Sequence, residues 1–284
     1  MSVRRPVLRY HGGKWRLAPW ILGFFPAHRV YVEPYGGGAS VLMRKAPSYA
    51  EVYNDQWGSV VNVFRVLREP AKAEQLAAQL TLTPYARDEF LASYADSDDD
   101  VENARRTILR SLAGFGSAST NGAYATGFRA NSHRSGTTPA HDWANYPPHV
   151  ATFTGRLARV TIENRPAVEV VLQHDRAETL FYVDPPYPHV TRNMARGNAA
   201  YACEMGDDDH RALAGALRGC CGMVVLSGYA CDLYDLELYP DWQRHERAHL
   251  ADGAAPRTEV VWLNDACVAA LDRDRSQGEL RIEA

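Results

Sequence analysis

The sequence predicts an α/β fold with a helical interruption, and three observations carry that expectation. Short strand-like runs end in acids and turn residues and lead into helix-like text. A glycine turn sits where the first of these runs ends, and a Pro-Pro turn closes a later run that is apolar throughout.

In chain order, RVYVEP (29–34) and YAEVYND (49–55) read as short strands, each followed by helical text. A helical stretch comes next. AKAEQLAAQL (71–80) is one helix; TPYARDEFLASYA (83–95) is a second, with Thr83 as N-cap, Pro84 at the first helical position and acids in the first turn. VENARRTILRSL (101–112) is a third, and residues 113–138 form a long polar loop rich in Gly, Ser and Thr. Alternation then resumes. ARVTIEN (158–164), TLFYVD (179–184), GMVVLSG (222–228) and TEVVWLN (258–264) read as buried strands, with a helix from about Asp208 to Leu217, Asp207 as its cap and His210 structural.

With 46% hydrophobic and 23% charged residues in a chain of 284, the composition is that of an ordinary globular protein able to bury a substantial core. No apolar run approaches the roughly 20 residues that span a bilayer, and no long apolar core follows the basic start, so a soluble protein without a secretory leader is expected. Five cysteines, Cys203, Cys220, Cys221, Cys231 and Cys267, form no CxxC pair and cannot all be paired, so reduced thiols in a cytoplasm are expected.

The net charge of −3 argues against a nucleic-acid binder until its distribution is examined. Between Asn103 and Val160 seven arginines face one acid, Asp142, and the first sixteen residues carry Arg4, Arg5, Arg9, Lys14 and Arg16 with no acid at all. Local potential, not the sum, draws in a polyanion. Solvated surface arginines are the competing reading.

The glycine turn lies in YVEPYGGGASVLM, where Gly36, Gly37 and Gly38 lead into a helix at Ala39. Such a turn lets backbone approach a ligand and presents unpaired N–H groups, though three glycines can equally be a plain turn. Asp55, nineteen residues after Gly36, stands where an acid holds a ribose diol in nucleotide-binding α/β folds. Together they suggest an adenosine-containing cofactor. No Gly-Lys-Ser/Thr follows, so this is not a Walker phosphate loop.

In FYVDPPYP (181–188) a proline fixes its own φ and biases the preceding residue to extended geometry, so Asp184 and the carbonyls of Asp184 and Pro185 are aimed rigidly from a strand end. A carboxylate and a peptide carbonyl only accept, so they select a group with two N–H donors, such as an exocyclic amine. Accepting both protons favours pyramidal nitrogen with its lone pair pointing outward at an electrophile. Tyr187 can stack on a flat base. A capping Asp before a Pro-Pro turn is the alternative.

These stretches taken together resemble the Dam-type, D12-class DNA adenine-N6 methyltransferases, in particular those carried by phages. RYHGGKWRLAPWI (9–21) is similar to that family's N-terminal Gly-Gly-Lys motif, YVEPYGGGASVL to its cofactor loop, YNDQWGSVVN (53–62) to its Asn-Asp segment, and DPPY to its catalytic tetrapeptide. VVLSGY (224–229) and RTEVVWLN (257–264) are similar to its late strands. The resemblance implies a Rossmann-like S-adenosylmethionine-dependent methyltransferase fold with an inserted, mainly helical target-recognition domain. Residues 1–64 and 149–284 would form the catalytic domain and 65–148 the insertion.

It further implies S-adenosylmethionine as methyl donor, no metal, double-stranded DNA as partner, and a flipped adenine as acceptor. Asp184 and Pro185, with Pro186 and Tyr187, would hold the N6 amine and stack on the base. Tyr10, Gly12 and Lys14 would close the methionine end of the cofactor, with Glu33, Gly36 and Gly38 beneath it and Asp55 on the ribose; a phosphate contact is the other role open to Lys14. Asn164 would contact the cofactor's adenine or cap its strand. The family's Asn and Phe-Asn-Gly cluster after the third helix is not legible here, so GATC recognition is not inherited. Arg105, Arg106, Arg110, Arg129 and Arg134 are the expected phosphate contacts, and Phe115 or Tyr124 an aromatic wedge. The competing functions are cytosine-N4 methylation, whose enzymes carry Ser in place of this Asp; protein-glutamine or RNA methylation, with Asn-Pro-Pro-Tyr; and a DNA-binding module without cofactor chemistry.

Overall fold

In the computed structural model, which describes residues 2–115, 120, 126–131, 136–191, 201–250 and 256–282, seven strands form one sheet. They are β1 Val30–Glu33, β2 Ala50–Asn54, β3 Val160–Glu163, β4 Thr179–Val183, β5 Met223–Gly228, β6 Gln243–Leu250 and β7 Pro256–Leu263, in the order β3-β2-β1-β4-β5-β7-β6. The first five run parallel, with Val32 of β1 between Val52 and Phe181. β7 enters antiparallel beside β5, with Ser227 opposite Val261, and β6 closes that edge. This is the expected Rossmann-like α/β architecture. The chain winds outward from β1 through β2 to β3, then returns to place β4 on the other side of β1. Two neighbouring strands whose connections leave in opposite directions open a crevice at their C-terminal ends.

β4 and β5 are buried along their whole length, as central parallel strands covered on both faces must be. One face is covered by α9 Ala167–His174, α10 Asp207–Arg218 and a π-helical turn at Leu233–Leu238, packed through Val170, Leu213, Leu217 and Tyr234 onto Phe181 and Leu226. The other carries α1 Ala18–Ile21, α2 Ser40–Arg44, α3 Gly58–Arg68, α8 Val150–Leu157 and α11 Asp265–Ile282. No helix among the described residues is long and apolar enough to cross a membrane.

The helical interruption consists of α4 Pro70–Leu82, α5 Arg87–Ala92, α6 Asp100–Ala113 and α7 Pro139–Ala144. Its apolar residues Leu76, Leu80, Phe90, Ile108 and Trp143 form one continuous core with Val61 and Phe64 of α3 and Phe153 of α8. The expected seam at 64/65 falls inside α3, which runs unbroken to Arg68.

Three local expectations are corrected. Thr83 is not an N-cap: its hydroxyl donates back to Gln79 O at 2.8 Å and its carbonyl accepts the Trp143 indole N–H at 2.8 Å. The chain stays extended to Ala86, and α5 begins at Arg87, which puts Asp88 and Glu89 in its first turn, where carboxylates favour the helix dipole. Asp207 is the first residue of α10 and not its cap; Gly206 occupies that place, and the Asp209 carboxylate accepts its N–H at 2.8 Å. The third is the helix expected at Ala39, which begins at Ser40, with Ala39 before it in the left-handed region at φ +51°. A further element, β6, is a strand the sequence hides. QRHERAHL is polar because β6 is an edge strand with most of its side chains exposed, leaving no apolar alternation to read.

Candidate active site

The glycine turn after β1 is set by sterics. A Cβ on Gly36 would lie 2.2 Å from the Tyr53 ring. Gly37 has φ +46°, and a Cβ there would meet the Tyr10 ring at 2.7 Å. Asp55, just past β2, braces this turn: one carboxylate oxygen accepts the Gly37 N–H at 2.8 Å and the other the Trp57 N–H at 2.8 Å. Burial pushes the Asp55 carboxyl above its ordinary range. At the end of β1 the buried Glu33 accepts the Tyr31 hydroxyl at 2.6 Å and the Leu42 N–H at 2.7 Å. Burial drives its carboxyl up to about 8.

These groups line a cleft with Tyr10, Gly12, Trp57, Tyr182, Asp184, Tyr201 and Cys203. Every expected cofactor contact borders it except Asn164. The Asn164 amide donates to the carbonyls of Asp55 at 2.7 Å and Gln56 at 3.1 Å, so it fastens the segment after β2 from the end of β3.

Asp184 enters the same cleft from β4. Its Oδ1 accepts the Ser227 hydroxyl from β5 at 3.0 Å and the Lys14 ammonium at 2.8 Å. Burial raises the Asp184 carboxyl above its ordinary value, and Lys14 works against that rise. Lys14 borders the cleft, but its ammonium is aimed at the Asp184 carboxylate. It also donates to Gly12 O at 3.0 Å and the Tyr187 hydroxyl, and lies 3.3 Å from the buried Glu259 of β7. Burial alone would lower its pKa; Asp184 and Glu259 overcome that and keep it protonated. Tyr187 is buried, and Tyr229 packs on its ring with centroids 4.4 Å apart and planes at 34°.

The basic zone of the helical interruption turns inward. Arg105 pairs with Glu102 and Glu89 and donates to Thr83; Arg106 pairs with Glu102 and bonds the carbonyls of Ala95 and Asp96. Arg110 is buried, donates to Ser93 O and to the Thr107 hydroxyl, and burial lowers its pKa. Arg129 bonds Leu112 O at 2.6 Å. All four stitch the interruption together; Arg134 and Tyr124 lie outside the described residues, and Phe115 is exposed.

Sequence reasoning missed Ser227, Tyr229 and Glu259. The signal was present: Ser227 and Glu259 are polar residues inside the apolar runs VVLSG and TEVVW. It also missed the basic face of the β6–β7 hairpin, where exposed Arg247 and Arg257 flank the register positions of Glu259 and His249. His249 lies over Tyr229, with centroids 6.3 Å apart, and Tyr229 in turn packs on Tyr187.

A family model for the D12 class N6 adenine-specific DNA methyltransferases matches residues 10–251, from the first cleft residue to the end of β6. No curated protein matches the chain.

Proposed function

We propose that this protein, which belongs to the D12 class of N6 adenine-specific DNA methyltransferases, transfers a methyl group from S-adenosylmethionine to N6 of an adenine swung out of double-stranded DNA. One observation carries this reading: the braced glycine turn and the Asp184 carboxylate open on one cleft at the switch point between β1 and β4.

The residues fit the cofactor. The Gly36–Gly37 turn, packed tightly on Tyr53 and Tyr10, lines the cleft together with Asp55 and Glu33 and forms the cradle, Asp55 suited to a ribose diol and Glu33 to an amino group. Tyr10, Gly12 and Gly38 complete the wall. When bound, S-adenosylmethionine supplies an electrophilic methyl on a sulfonium. Asp184 and the Pro185 carbonyl then accept the two N–H groups of the target amine and fix its lone pair outward. Ser227 holds Asp184 from behind, so the acceptor pair is positioned before the base arrives.

For DNA contact the geometry favours Arg247 and Arg257 over Arg105, Arg106 and Arg110. Both are exposed on the β6–β7 pair, and neither is ion-paired to an acid among the described residues. Extruding a base costs a few kcal/mol, which contacts of this kind must offset.

Incubation with tritiated S-adenosylmethionine and DNA, followed by nucleoside chromatography, tests the reading. Label is expected in N6-methyldeoxyadenosine. Label in methylcytosine, or none, overturns it.

A further inference from the structure

Two hydrogen-bond chains end on Asp184, and the direction of each is fixed by what its members can donate. The Asp184 carboxylate only accepts, so the Ser227 hydroxyl gives its one proton to Oδ1 and takes the Tyr182 hydroxyl, 2.9 Å away, as its own donor. The Lys14 ammonium only donates. It reaches Gly12 O, Asp184 Oδ1 and the Tyr187 hydroxyl, which leaves the Tyr187 proton for Glu259. Oδ1 thus takes two donors from the protein, and Oδ2 is left open to the cleft. Glu259 lies buried on β7 and is not among the residues that border the cleft. It pairs with Lys14 at 3.3 Å and holds the Tyr187 hydroxyl, so it ties the last residue of DPPY directly and the first through the ammonium.

We propose that Glu259 is a positioning residue for the reaction, a strut that fixes both ends of the DPPY turn from behind and leaves Oδ2 of Asp184 as the acceptor for the target amine. With Oδ1 held by the Ser227 hydroxyl and the ammonium, the carboxylate plane is set before a base arrives. Charge works in the same direction. Lys14 alone would neutralise Asp184, whereas one cation shared by two ionised carboxylates leaves net negative charge. The amine nitrogen gains positive charge as it takes the methyl, and that surplus stabilises it in a site shielded from water. Lys14 is the one cation that pairs with Asp184 among the described residues, and the carboxyls near it are Glu259 and Glu33 of β1. Burial holds the surrounding tyrosines, Tyr10, Tyr182, Tyr187, Tyr229 and Tyr234, above their ordinary range. Burial also raises the Glu259 carboxyl; Lys14 works against that rise and Asp184 adds to it, so mild acid removes the second negative charge. The inference rests on the reading of Asp184 as acceptor of the target amine, and its test separates the two.

Two conservative variants read the strut. Tyr187→Phe loses one oxygen and keeps the ring, and Glu259→Gln loses the charge and keeps the shape. Single-turnover methylation of DNA that wild type methylates, at saturating S-adenosylmethionine, gives the rate, and calorimetry gives cofactor affinity. At about pH 8 each variant is expected to methylate about tenfold more slowly, the worth of one hydrogen bond to a charged group, with affinity within about twofold of wild type. The double variant is expected to be no slower than the slower single, because both break one strut; independent losses would multiply to about a hundredfold. The Glu259→Gln deficit is expected to shrink as pH falls, because protonated Glu259 then matches glutamine, while Glu33 titrates in both proteins and cancels in the ratio. A packing defect would persist at every pH. A wild-type rate in Glu259→Gln, multiplying losses, or a deficit constant in pH overturns the inference. Asp184→Ala separates the two readings: a wild-type rate there fails the acceptor assignment itself, whereas a loss there with none in Glu259→Gln fails the strut alone. Should Glu259→Gln not fold, Tyr187→Phe decides, and a wild-type rate in that variant overturns the strut.

Discussion

The cleft and the helical interruption are both rich in charged residues, yet sequence reading places one and misplaces the other. Around the cleft, backbone aims each polar group: Asp184 by the prolines that follow it, Glu33 by the strand it ends, and Asp55 by the amides of Trp57, two residues on, and of Gly37 in the glycine turn. In the interruption Glu102 takes Arg105 and Arg106 at helical i,i+3 and i,i+4 spacing, and the arginines' further partners are ones that local sequence does not single out. Arg105 reaches Glu89 and Thr83, and Arg110 reaches Ser93. A short charged group on a stiff backbone declares its direction, whereas a long flexible cation goes wherever the nearest uncompensated acceptor lies.

The sharpest way to break this comparison is at Asp184. Asp184→Ala should lower turnover by about 10³-fold, the scale of removing a preorganised polar group at the reacting centre. Calorimetric affinity for S-adenosylmethionine should stay within about twofold, because the cradle lies on β1 and β2. Turnover near wild type would detach Asp184 from the chemistry. The next largest effect is expected at Gly36→Ala. Its Cβ would meet the Tyr53 ring at 2.2 Å and Asn54 O at 3.0 Å, leaving backbone and an aromatic ring to give way. A loss of about 3 kcal/mol of stability in urea unfolding, with weakened cofactor binding, is expected. Gly155→Ala, on a helix with nothing within 4 Å of the added carbon, is the control and should be neutral or stabilising.

The buried strands, the glycine turn and the DPPY edge were legible because each follows from local rules: apolar runs buried on both faces, a steric need for glycine, a proline-locked strand end. β6 was illegible because an edge strand needs no alternation, and its existence is imposed by the register with β7, from Gln243 opposite Leu263 to Leu250 opposite Pro256. Lys14 was half legible. The Gly-Gly-Lys segment pointed to the cleft, but its ammonium answers to Glu259, 245 positions downstream and visible only once β7 lies beside β5.

Buried Glu33 sharpens the comparison through pH. Its folded carboxyl sits at about 8, above the 4.5 of an unperturbed Glu, so the folded chain holds a proton that the unfolded chain releases in between. Stability from this group is therefore full below about pH 4.5 and is lost as pH rises toward 8. Glu33→Gln should flatten that fall, raising urea-derived stability at pH 8 by about 2 kcal/mol while leaving pH 4.5 nearly unchanged. Glu259, whose carboxyl burial also raises, contributes a slope of the same sign that the Glu33→Gln variant retains. Equal stabilities of wild type and variant at pH 8 would mean that Glu33 is not held protonated.

The smallest effect separates the two arginine populations most directly. Arg105→Gln removes a partly buried tie between α5 and α6 and should cost about 1 kcal/mol of stability, with no change in the salt dependence of DNA binding. Arg257→Gln, on the exposed hairpin face, should leave unfolding unchanged and flatten the plot of log affinity against log salt by about 0.9, the share of one phosphate. Thermal unfolding and anisotropy at several salt concentrations read both variants. If the salt slope moves in Arg105→Gln and not in Arg257→Gln, then the interruption does turn cations toward DNA in the complex, and the inward pairing describes only the free protein.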